Sequence, residues 1–406
     1  MGESSELEKY RPIVGEEEAA EIYQLADRLK GASILHVNST RSGGGVAEIL
    51  KSLIPLTNSL GLKASWEVIT ARPRFYEITK SIHNGLQGMN LPLTQEMKDT
   101  YMEVNQNYAA TLDTDHDVII IHDPQPAAII QYAKKSNAKW MWRCHIDLSH
   151  PNSEYWLLVR QFIQKYDALI FTIEDFVSRE LIGRPLYLIP PCIDPLSEKN
   201  RDVSEEQITG ITKKFGIDRE LPTITQVSRF DPWKDPLGVI DIYRIIRRSV
   251  PKVQLLMVGG SAQDDPEGAI WTDKVLKYAG DDNGRGIHLL TDLTDLEVNA
   301  IQRSSNVVIQ NSIREGFGLT VSEALWKGVP VVATNVGGIP LQVIDGVTGY
   351  LIESKREAAD RILSILRKSE LGRKLGLQGK QHIRRNFLIT RHLKQILKMH
   401  LELVQN

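Results

Sequence analysis

Two carboxylates flank a glycine-rich turn late in the chain and give the clearest indication of chemistry. Glu315 precedes Gly316-Phe317-Gly318-Leu319-Thr320, and Glu323 lies eight positions after Glu315. The apolar run 307–309 ends shortly before this turn and a helical pattern starts at Ser322, so the glycines connect a strand to a helix. Backbone amides at such a helix start can hold an anion. We therefore predict a site with a phosphate between two acids, one facing a sugar and the other a ribose.

A second loop brings two cations to the end of another predicted strand. Arg229 and Lys234 follow the run 223–228, within Arg229-Phe230-Asp231-Pro232-Trp233-Lys234. Together they could neutralise a pyrophosphate and the charge that grows on it as a glycosidic bond breaks. An isolated Arg and Lys pair is more often a solvated surface charge. Because these two share a strand-end position with the Glu315 turn, we favour the ligand-binding interpretation.

Polar residues also follow two predicted strands in the first half. Asn38 precedes Gly43-Gly44-Gly45-Val46, a loop that enters a helix. Three consecutive glycines match neither the dinucleotide fingerprint nor a P-loop, so a ligand loop and a purely conformational turn stay open. His145 and Asp147 follow the run 140–144, and a neutral imidazole there could hydrogen-bond a sugar hydroxyl. A structural histidine is the alternative, and without a zinc-type ligand spacing no metal site is predicted.

Two further loops of the second half lie at predicted strand ends. Gly259 follows the run 253–258, and Leu293 lies beyond the run 287–290. Backbone groups in both loops could meet a nucleotide base or ribose. Ordinary loop chemistry is the equally open alternative.

Short apolar runs alternate with helical patterns along the chain. Runs that are apolar on both faces indicate buried parallel strands, so two open, doubly wound α/β sheets are predicted. The proline-rich segment 189–195 interrupts the alternation and marks a hinge between two domains. Ligands of such sheets bind outside the carboxyl ends of the strands, so a cleft between facing domains is the expected site. The strand runs are 34–37, 66–69, 118–121, 140–142, 168–171, 223–228, 253–258, 287–290, 307–309 and 330–333.

Length and charge exclude several classes of function. A chain of 406 residues suits two domains. The formal charge of −2 provides no basic field for nucleic acid or an anionic membrane. Cys144 and Cys192 are the only cysteines, the acidic N-terminus lacks a secretory pattern, and no apolar run approaches membrane-spanning length. We therefore expect a cytoplasmic protein that binds small anionic molecules.

The spaced motifs resemble those of the retaining glycosyltransferases of family 4, which have the GT-B fold. Within that family the chain is most similar to the trehalose glycosyltransferring synthases, and the retaining trehalose phosphorylases are similar in the same segments. The resemblance extends over nearly the whole chain. The strings that carry it are Glu315-(x7)-Glu323, Asn38-Ser39-Thr40 with Gly43-Gly44-Gly45-Val46-Ala47-Glu48, Trp142-Arg143-Cys144-His145-Ile146-Asp147, and Arg229-Phe230-Asp231-Pro232-Trp233-Lys234-Asp235-Pro236.

The resemblance implies a domain assignment and a role for each motif. Residues 1–195 would form an acceptor-side Rossmann-like domain with the helix 388–406 packing back on it, and residues 196–387 would bind the donor. Among the catalytic residues, Arg229 and Lys234 would bind the donor diphosphate. Glu315 and His145 would lie at the donor sugar, and Glu323 at the ribose. Further contacts would come from Gly44, Gly45, Gly316, Phe317, Gly318, Leu319, Thr320, Gly259 and Leu293 on the donor side, and from Asn38, Val46 and Asp147 on the acceptor side.

The predicted activity is reversible transfer of α-glucose from a nucleoside diphosphate glucose to free glucose, giving α,α-trehalose. No carboxylate is an obvious nucleophile for a double displacement, which favours attack from the face of the leaving group. The alternatives are a trehalose phosphorylase that uses inorganic phosphate and a related sucrose or sugar-phosphate synthase. A nucleotide-sugar-binding regulator is the non-enzymatic alternative.

The expected partners are small molecules. They are a nucleotide sugar, with the UDP, ADP and GDP forms left open, and glucose or trehalose. No obligatory cofactor is predicted, and Mg²⁺ would act only as a stimulating ion that screens the diphosphate, because no protein ligand set for it is visible. Neither nucleic acid nor a membrane is an expected partner, and the sequence leaves a homodimer open.

Overall fold

Two sheets of six parallel strands form the frame of the chain. The computed structural model describes residues 5–42, 44–181, 183–259 and 268–405. Among these, unit 1 takes the residues up to Pro191 and those from Ile389 onward, while unit 2 takes the residues between Cys192 and Leu388. The chain therefore passes from unit 1 to unit 2 inside the proline-rich segment 189–195.

The sheet of unit 1 contains β1 Ser33–Asn38, β2 Lys63–Val68, β3 Val118–His122, β4 Lys139–Arg143, β5 Ala168–Phe171 and β6 Leu186–Leu188. These strands lie in the order β2-β1-β3-β4-β5-β6, and all neighbours are parallel. β3 and β5 are buried along their whole length, as expected of parallel strands covered on both faces. The strand order reverses between β1 and β3, which is where doubly wound sheets bind ligands.

The helices that accompany this sheet follow the apolar spacing of the sequence. In α3, residues such as Leu50 and Leu53 are buried at helical intervals, and Gly61, with φ +87°, follows the end of the helix. The helices of this part are α1 Arg11–Val14, α2 Glu16–Arg28, α3 Gly45–Ser59, α4 Pro73–Leu86, α5 Gln95–Thr111 and α6 Ser153–Ile163.

The sheet of unit 2 contains β7 Thr223–Val227, β8 Gln254–Gly259, β9 Ile287–Thr291, β10 Val307–Gln310, β11 Val331–Thr334 and β12 Gly349–Ile352. The strands lie in the order β12-β11-β10-β7-β8-β9 and are again parallel. Counted from β7, this is the order of the Rossmann fold, and the reversal falls between β7 and β10. The loops after these two strands therefore start side by side.

The helices of unit 2 are α7 Glu205–Lys214, α8 Pro236–Arg247, α9 Gly268–Ala279, α10 Asp295–Ser304, α11 Leu319–Trp326, α12 Ile339–Gln342, α13 Lys355–Arg367 and α14 Ser369–Asn386. Capping boxes start two of them, with Ser204 paired to Gln207 and Thr294 to Glu297. These reciprocal hydrogen bonds fix where α7 and α10 begin.

The last helix, α15 Ile389–Gln405, belongs to unit 1 although it follows unit 2 in sequence. Its buried side chains include Leu393 and Leu397. Lys394 Nζ pairs with Glu21 of α2 at 3.1 Å. An apolar stripe and an ion pair thus hold the end of the chain on its beginning.

Two strands were missing from the sequence prediction. β6 and β12 lie at the edges of their sheets. Each has only three or four residues, and Leu186 and Leu188 of β6 are exposed. An edge strand does not need the run buried on both faces that identifies a central strand, so its pattern is weaker.

Candidate active site

The loops after β7 and β10 form the chemically richest part of unit 2. Lys234 follows β7, and Glu315 follows β10. Lys234 Nζ donates to Glu315 Oε2 at 2.5 Å. Residues 81 positions apart are therefore brought together because their strands are neighbours in the sheet.

Glu315 is held by three donors on one oxygen. Besides Lys234, Ser312 Oγ donates to Oε2 at 3.1 Å and Gln310 Nε2 donates at 3.2 Å. The carboxylate side chain is 8% exposed. A charge this buried needs a paired cation and further hydrogen bonds, and both are present. The carboxylate is thereby fixed in position through Oε2.

The Lys234 loop is built from short-range caps. Asp231 Oδ1 accepts from the amides of Trp233 and Lys234 at 2.9 and 3.1 Å and starts a single 3₁₀ turn. Asp235 then adopts a left-handed conformation, φ +43°, and caps α8 through the Gly238 amide at 3.0 Å. A non-glycine residue in this region is costly and is typical of functional loops.

Backbone and side-chain contacts tie this loop to the β10 loop. Asn311 Nδ2 donates to Asp235 Oδ2 at 2.9 Å, and the Ile313 amide donates to the Trp233 carbonyl at 2.7 Å. Burial raises the pKa of Asp235, and the Gly238 amide and Lys355 oppose that rise. The two loops thus form one connected structure around the Lys234 and Glu315 pair.

Arg229 supplies a second cation after β7. Its Nη2 lies 3.7 Å from Asp231 Oδ2, and its side chain is 37% exposed. A guanidinium that keeps this much exposure can present its planar donors to a phosphate. The two cations predicted from the sequence therefore come from one loop, with the deeper Lys234 beside the acid.

The Glu315 turn continues into α11 through Gly318. This glycine has φ +83° and occupies the N-cap position, and no side chain caps the helix. Glu323 lies in α11 and is 2% exposed, and its Oε2 has no hydrogen-bond partner among the residues that the structure describes. A buried carboxylate oxygen without donors is unfavourable. Its chemistry suits a ligand that brings hydroxyl donors.

Close packing explains other residues of the turn. A Cβ at Gly338 would lie 2.6 Å from the carbonyl oxygen of Gly316 and 2.9 Å from Phe317 Cα. The Phe317 ring is buried, with its centroid 5.4 Å from that of Phe387. Thr320 Oγ1 donates to Gln310 Oε1 at 3.3 Å, which links the start of α11 to the Glu315 network. The Phe317 side chain thus serves packing, and only its backbone is suited to a ligand.

Gly259 and Leu293 have structural roles in unit 2. A Cβ at Gly259 would lie 2.5 Å from the Phe230 ring, so the close approach of that ring requires glycine. Leu293 is partly buried and packs against the cluster that contains Val258 and Leu290. Packing thus requires a glycine at position 259 and holds the Leu293 side chain, while the ligand contact predicted for their backbone groups stays a prediction.

In unit 1 the predicted His145 belongs to a row of three histidines. His36 of β1 and His122 of β3 lie in contact, with His36 Nδ1 and His122 Nε2 3.0 Å apart. His122 Nδ1 and His145 Nε2 are also 3.0 Å apart. The His145 amide donates to Asp123 Oδ1 at 2.8 Å, and Asp123 has φ +65°. The row begins at the reversal point between β1 and β3.

Burial keeps these imidazoles neutral. It lowers the pKa of His36 to about 3, with the Arg143 charge adding to the effect, and it lowers the pKa of His122 and His145 well below the usual range. Arg143 is itself buried, and its Nη1 lies 3.1 Å from His392 Nε2, while His392 Nδ1 donates to the Pro190 carbonyl at 3.0 Å. His392 must therefore accept from Arg143 as a neutral ring.

The other predicted residues of unit 1 lie in or near loops. Gly44 has an extended backbone and is the N-cap of α3, which starts at Gly45. Val46 follows in the first turn of that helix and is half-buried, and Gly43 lies outside the described residues. The Asn38 side chain donates to the Thr40 carbonyl at 2.8 Å and accepts from Trp66 Nε1 at 2.8 Å, so it holds the loop. Asp147 is buried and accepts from the Ser149 amide at 2.9 Å.

Sequence reasoning missed seven residues of these networks. They are His36, His122, Asp123, Arg143, Gln310, Ser312 and His392. The available signal was polar residues in otherwise apolar strands, since His36 interrupts Ile34-Leu35 and Val37 and Gln310 ends Val307-Val308-Ile309.

Comparison with known proteins places these motifs in a family. The family described as "Trehalose synthase, N-terminal domain" matches residues 36–178, and "Glycosyl transferases group 1" matches residues 207–382. The "Trehalose synthase" of Pyrococcus horikoshii is 48% identical over 396 residues, which cover 96% of this chain and 95% of the relative. The chain belongs to the trehalose synthase family of glycosyltransferases. A member from Rubrobacter xylanophilus is 45% identical over 98% of this chain and 97% of its own.

More distant comparisons agree with this family and show its fold. A "Trehalose phosphorylase" of Pleurotus pulmonarius is 32% identical, over 85% of this chain and 54% of its own. A sucrose-phosphate synthase structure from Thermosynechococcus elongatus has a TM-score of 0.71 at 18% identity, covering 92% of this chain and 99% of its own. An Escherichia coli structure titled as bound with UDP-2-fluoro glucose has a TM-score of 0.74 at 15% identity, with the same coverage. This chain therefore has the GT-B fold.

The described part of this trehalose synthase family member shows neither a membrane-spanning helix nor a metal-binding cluster. Within residues 5–42, 44–181, 183–259 and 268–405, no helix is both long and apolar enough to cross a membrane. Those same residues contain no group of three or more His, Cys, Asp or Glu side chains placed to hold a metal ion. Cys144 and Cys192 are buried and form no disulfide in the part of the chain that the structure describes.

Proposed function

We propose that this protein transfers α-glucose from a nucleoside diphosphate glucose to free glucose and forms α,α-trehalose. The observation that carries the proposal is the Lys234 and Glu315 pair at the reversal point of the unit 2 sheet, with Glu323 inside the adjoining helix. The names of the full-length relatives support trehalose as the product. Two cations, two acids and an uncapped helix start match the groups of a nucleotide sugar.

Each donor group has a partner in this arrangement. An ammonium has three N–H donors and Glu315 takes one from Lys234, so two remain for diphosphate oxygens. Arg229 would bind the same diphosphate. Glu315 uses Oε2 for its protein donors, which assigns Oε1 to a hydroxyl of the donor sugar. The unpartnered Oε2 of Glu323 would accept from the ribose hydroxyls.

We propose that the reaction retains the anomeric configuration by attack on the face of the leaving group. The acceptor hydroxyl would give its proton to a departing diphosphate oxygen and bond to the anomeric carbon as the glycosidic bond to the diphosphate breaks. Glu315 is already held by Lys234, Ser312 and Gln310, which suits a binding group better than a nucleophile. The protein would then contribute positioning and charge stabilisation, and the reaction would be reversible.

An activity panel tests the proposal. UDP-, ADP- and GDP-glucose are each combined with glucose, glucose 6-phosphate and fructose, and the products are separated and their anomeric configuration is read by NMR. We expect α,α-trehalose from glucose with at least one donor. Absence of a disaccharide in every combination would reject the proposal, and a β-linked product would reject retention.

A trehalose phosphorylase is the second candidate, because relatives of that name are 32% identical. Such an enzyme would convert trehalose and inorganic phosphate to glucose and glucose 1-phosphate without a nucleotide. Incubation with both substrates, with and without UDP, ADP and GDP, separates the two activities. Our proposal expects trehalose cleavage only when a nucleoside diphosphate is present.

The conditions of the reaction are part of the proposal. We place the enzyme in the cytoplasm, where nucleotide sugars are made and where cysteines such as Cys144 and Cys192 stay reduced. Mg²⁺ would stimulate by screening the diphosphate in solution. Activity in EDTA at a reduced rate is the expected result, and complete loss would show a required metal.

A further inference from the structure

The three histidines of unit 1 are coupled through their ring nitrogens. His122 uses both of its nitrogens, one toward His36 and the other toward His145, and each N···N distance is 3.0 Å. The ring centroids are 5.3 Å apart at both contacts. Any influence of His36 on His145 through this row must therefore pass through the middle ring.

Neutral imidazoles in such a row have only two possible arrangements. Each N···N contact needs one N–H donor and one acceptor, and each neutral ring has one of each. If His122 carries its proton on Nδ1, then His36 and His145 must also carry theirs on Nδ1. If His122 is protonated on Nε2, the other two follow. All three rings thus share one tautomer, and the remaining nitrogen of His145, Nδ1, is a donor in one arrangement and an acceptor in the other.

The surroundings keep the rings neutral and in place. His36 and His122 are buried, and the buried Arg143 charge opposes protonation of the row. The backbone of His145 is held by Asp123, whose own amide donates to the Arg143 carbonyl at 2.8 Å. Charged rings, which would have two donors and break the alternation, are disfavoured here.

We propose that His36 and His122 are positioning residues that hold His145 in one neutral tautomer, so that His145 Nδ1 presents a single hydrogen-bonding role to a hydroxyl of a sugar substrate. This inference rests on the proposed glucosyl transfer. A ring nitrogen that is fixed as donor or acceptor needs no rearrangement when the substrate binds, which is the preorganisation that favours the transition state.

Nitrogen NMR tests the coupling without any activity measurement. The full-length protein is labelled with ¹⁵N-histidine, and two-bond ¹H–¹⁵N spectra identify the protonated nitrogen of each ring, with assignments from single His variants. We expect His36, His122 and His145 to show the same tautomer. Two different tautomers among the three rings would overturn the proposal.

Kinetics test the consequence for transfer. His122→Phe and His36→Phe keep ring volume but remove the hydrogen bonds, and we expect kcat to fall about tenfold, equivalent to about 1.4 kcal/mol, with a smaller change in the KM for the nucleotide sugar. His36→Asn can still donate or accept near the Nδ1 position, so it should recover most of the kcat. Unchanged kcat in both Phe variants, or equal losses in His36→Asn and His36→Phe, would contradict the proposal.

A matched control separates this effect from general loss of a buried histidine. His400 is buried in unit 1, and its ring nitrogens have no hydrogen-bond partner among the described residues. His400→Phe should leave kcat and the His145 spectrum unchanged. Melting curves of all variants identify unfolding, and the spectrum of the unsubstituted protein decides the coupling if a variant does not fold. If the unsubstituted protein forms no disaccharide from any donor, the proposed function fails while the shared tautomer stands or falls on its own spectrum.

Discussion

The pair between Lys234 and Glu315 gives the sharpest test of the candidate site. In Glu315→Gln the amide oxygen can still accept from Ser312 and Gln310, but the charge opposite Lys234 is lost. The Lys234 side chain is 16% exposed, so water compensates only in part. A hydrogen bond to a charged group contributes about 1.5–3 kcal/mol, and we expect a stability loss of about 2 kcal/mol. For a unit of roughly 200 residues this lowers the melting temperature by about 4–8 °C.

Activity should fall much further than stability. Glu315→Gln weakens the acceptor for the donor sugar and releases Lys234 from its fixed position. We expect kcat to decrease about 100-fold, the effect typical of removing one preorganised electrostatic group. The measurement is initial-rate kinetics of transfer at a temperature at least 15 °C below the melting point of the variant.

Glu297→Gln is the matched control in the same unit. Glu297 pairs with Lys214 at 2.5 Å, the same distance as in the site, but Lys214 is 63% exposed. This substitution should change the melting temperature little, because an exposed partner remains solvated, and it should leave kcat unchanged. The reasoning would be refuted if Glu315→Gln matched this control in both rate and stability. A double-mutant cycle with Lys234→Met should show a coupling energy above about 1 kcal/mol.

Three further outcomes are expected. Glu323→Gln should raise the KM for the nucleotide sugar about tenfold, as loss of a charged hydrogen bond implies. It should not lower the melting temperature, because it removes a buried negative charge whose Oε2 has no hydrogen-bond partner among the described residues; an unchanged KM would argue against ribose binding. Gly259→Ala should cost about 1–3 kcal/mol in urea denaturation, since its Cβ would meet the Phe230 ring at 2.5 Å; an unshifted midpoint would contradict this packing. Burial lowers the pKa of His400 in the folded state below its usual 6.5. As the pH drops below 6.5 the unfolded chain therefore gains a proton first, and this group lowers the stability by up to about 1.4 kcal/mol per pH unit. His400→Leu should flatten the slope of stability against pH in denaturation at pH 7.5, 6 and 5, and an unchanged slope would assign the dependence to other groups.

Much of the fold follows from local sequence patterns. The ten predicted strands overlap ten of the twelve in the structure, and they include the eight central strands, whose residues are largely apolar on both faces. The turn at Gly318 was predictable because a left-handed residue at a helix end is usually glycine. Of the four edge strands, β2 and β9 were predicted, whereas β6 and β12, with three and four residues, were too short to show a pattern.

The acids and cations of the candidate site could be predicted from motif spacing, but the side chains that hydrogen-bond to them could not. Glu315, Glu323, Arg229 and Lys234 follow strands and carry charge, which marks them in any sequence. Gln310 is a single neutral side chain whose role depends on where Glu315 turns. The ligand contact of Gly259, inferred from its strand-end position, stays a prediction, and its close approach to Phe230 is a further packing requirement that only coordinates reveal.

By itself the sequence determined the alternation of strands and helices, the proline-rich segment in which the chain passes from one unit to the other, and the chemical groups at the strand ends, since each depends on neighbours along the chain. The tertiary structure decided which strand ends meet. Apolar patterns indicate that β1, β3, β7 and β10 are buried. Backbone hydrogen bonds can form between any two parallel strands, so the local sequence does not specify which strand pairs with which. Pairing β7 with β10 joins Lys234 to Glu315, and pairing β1 with β3 joins His36 to His122. The site therefore depends on strand order, which is a property of the whole sheet.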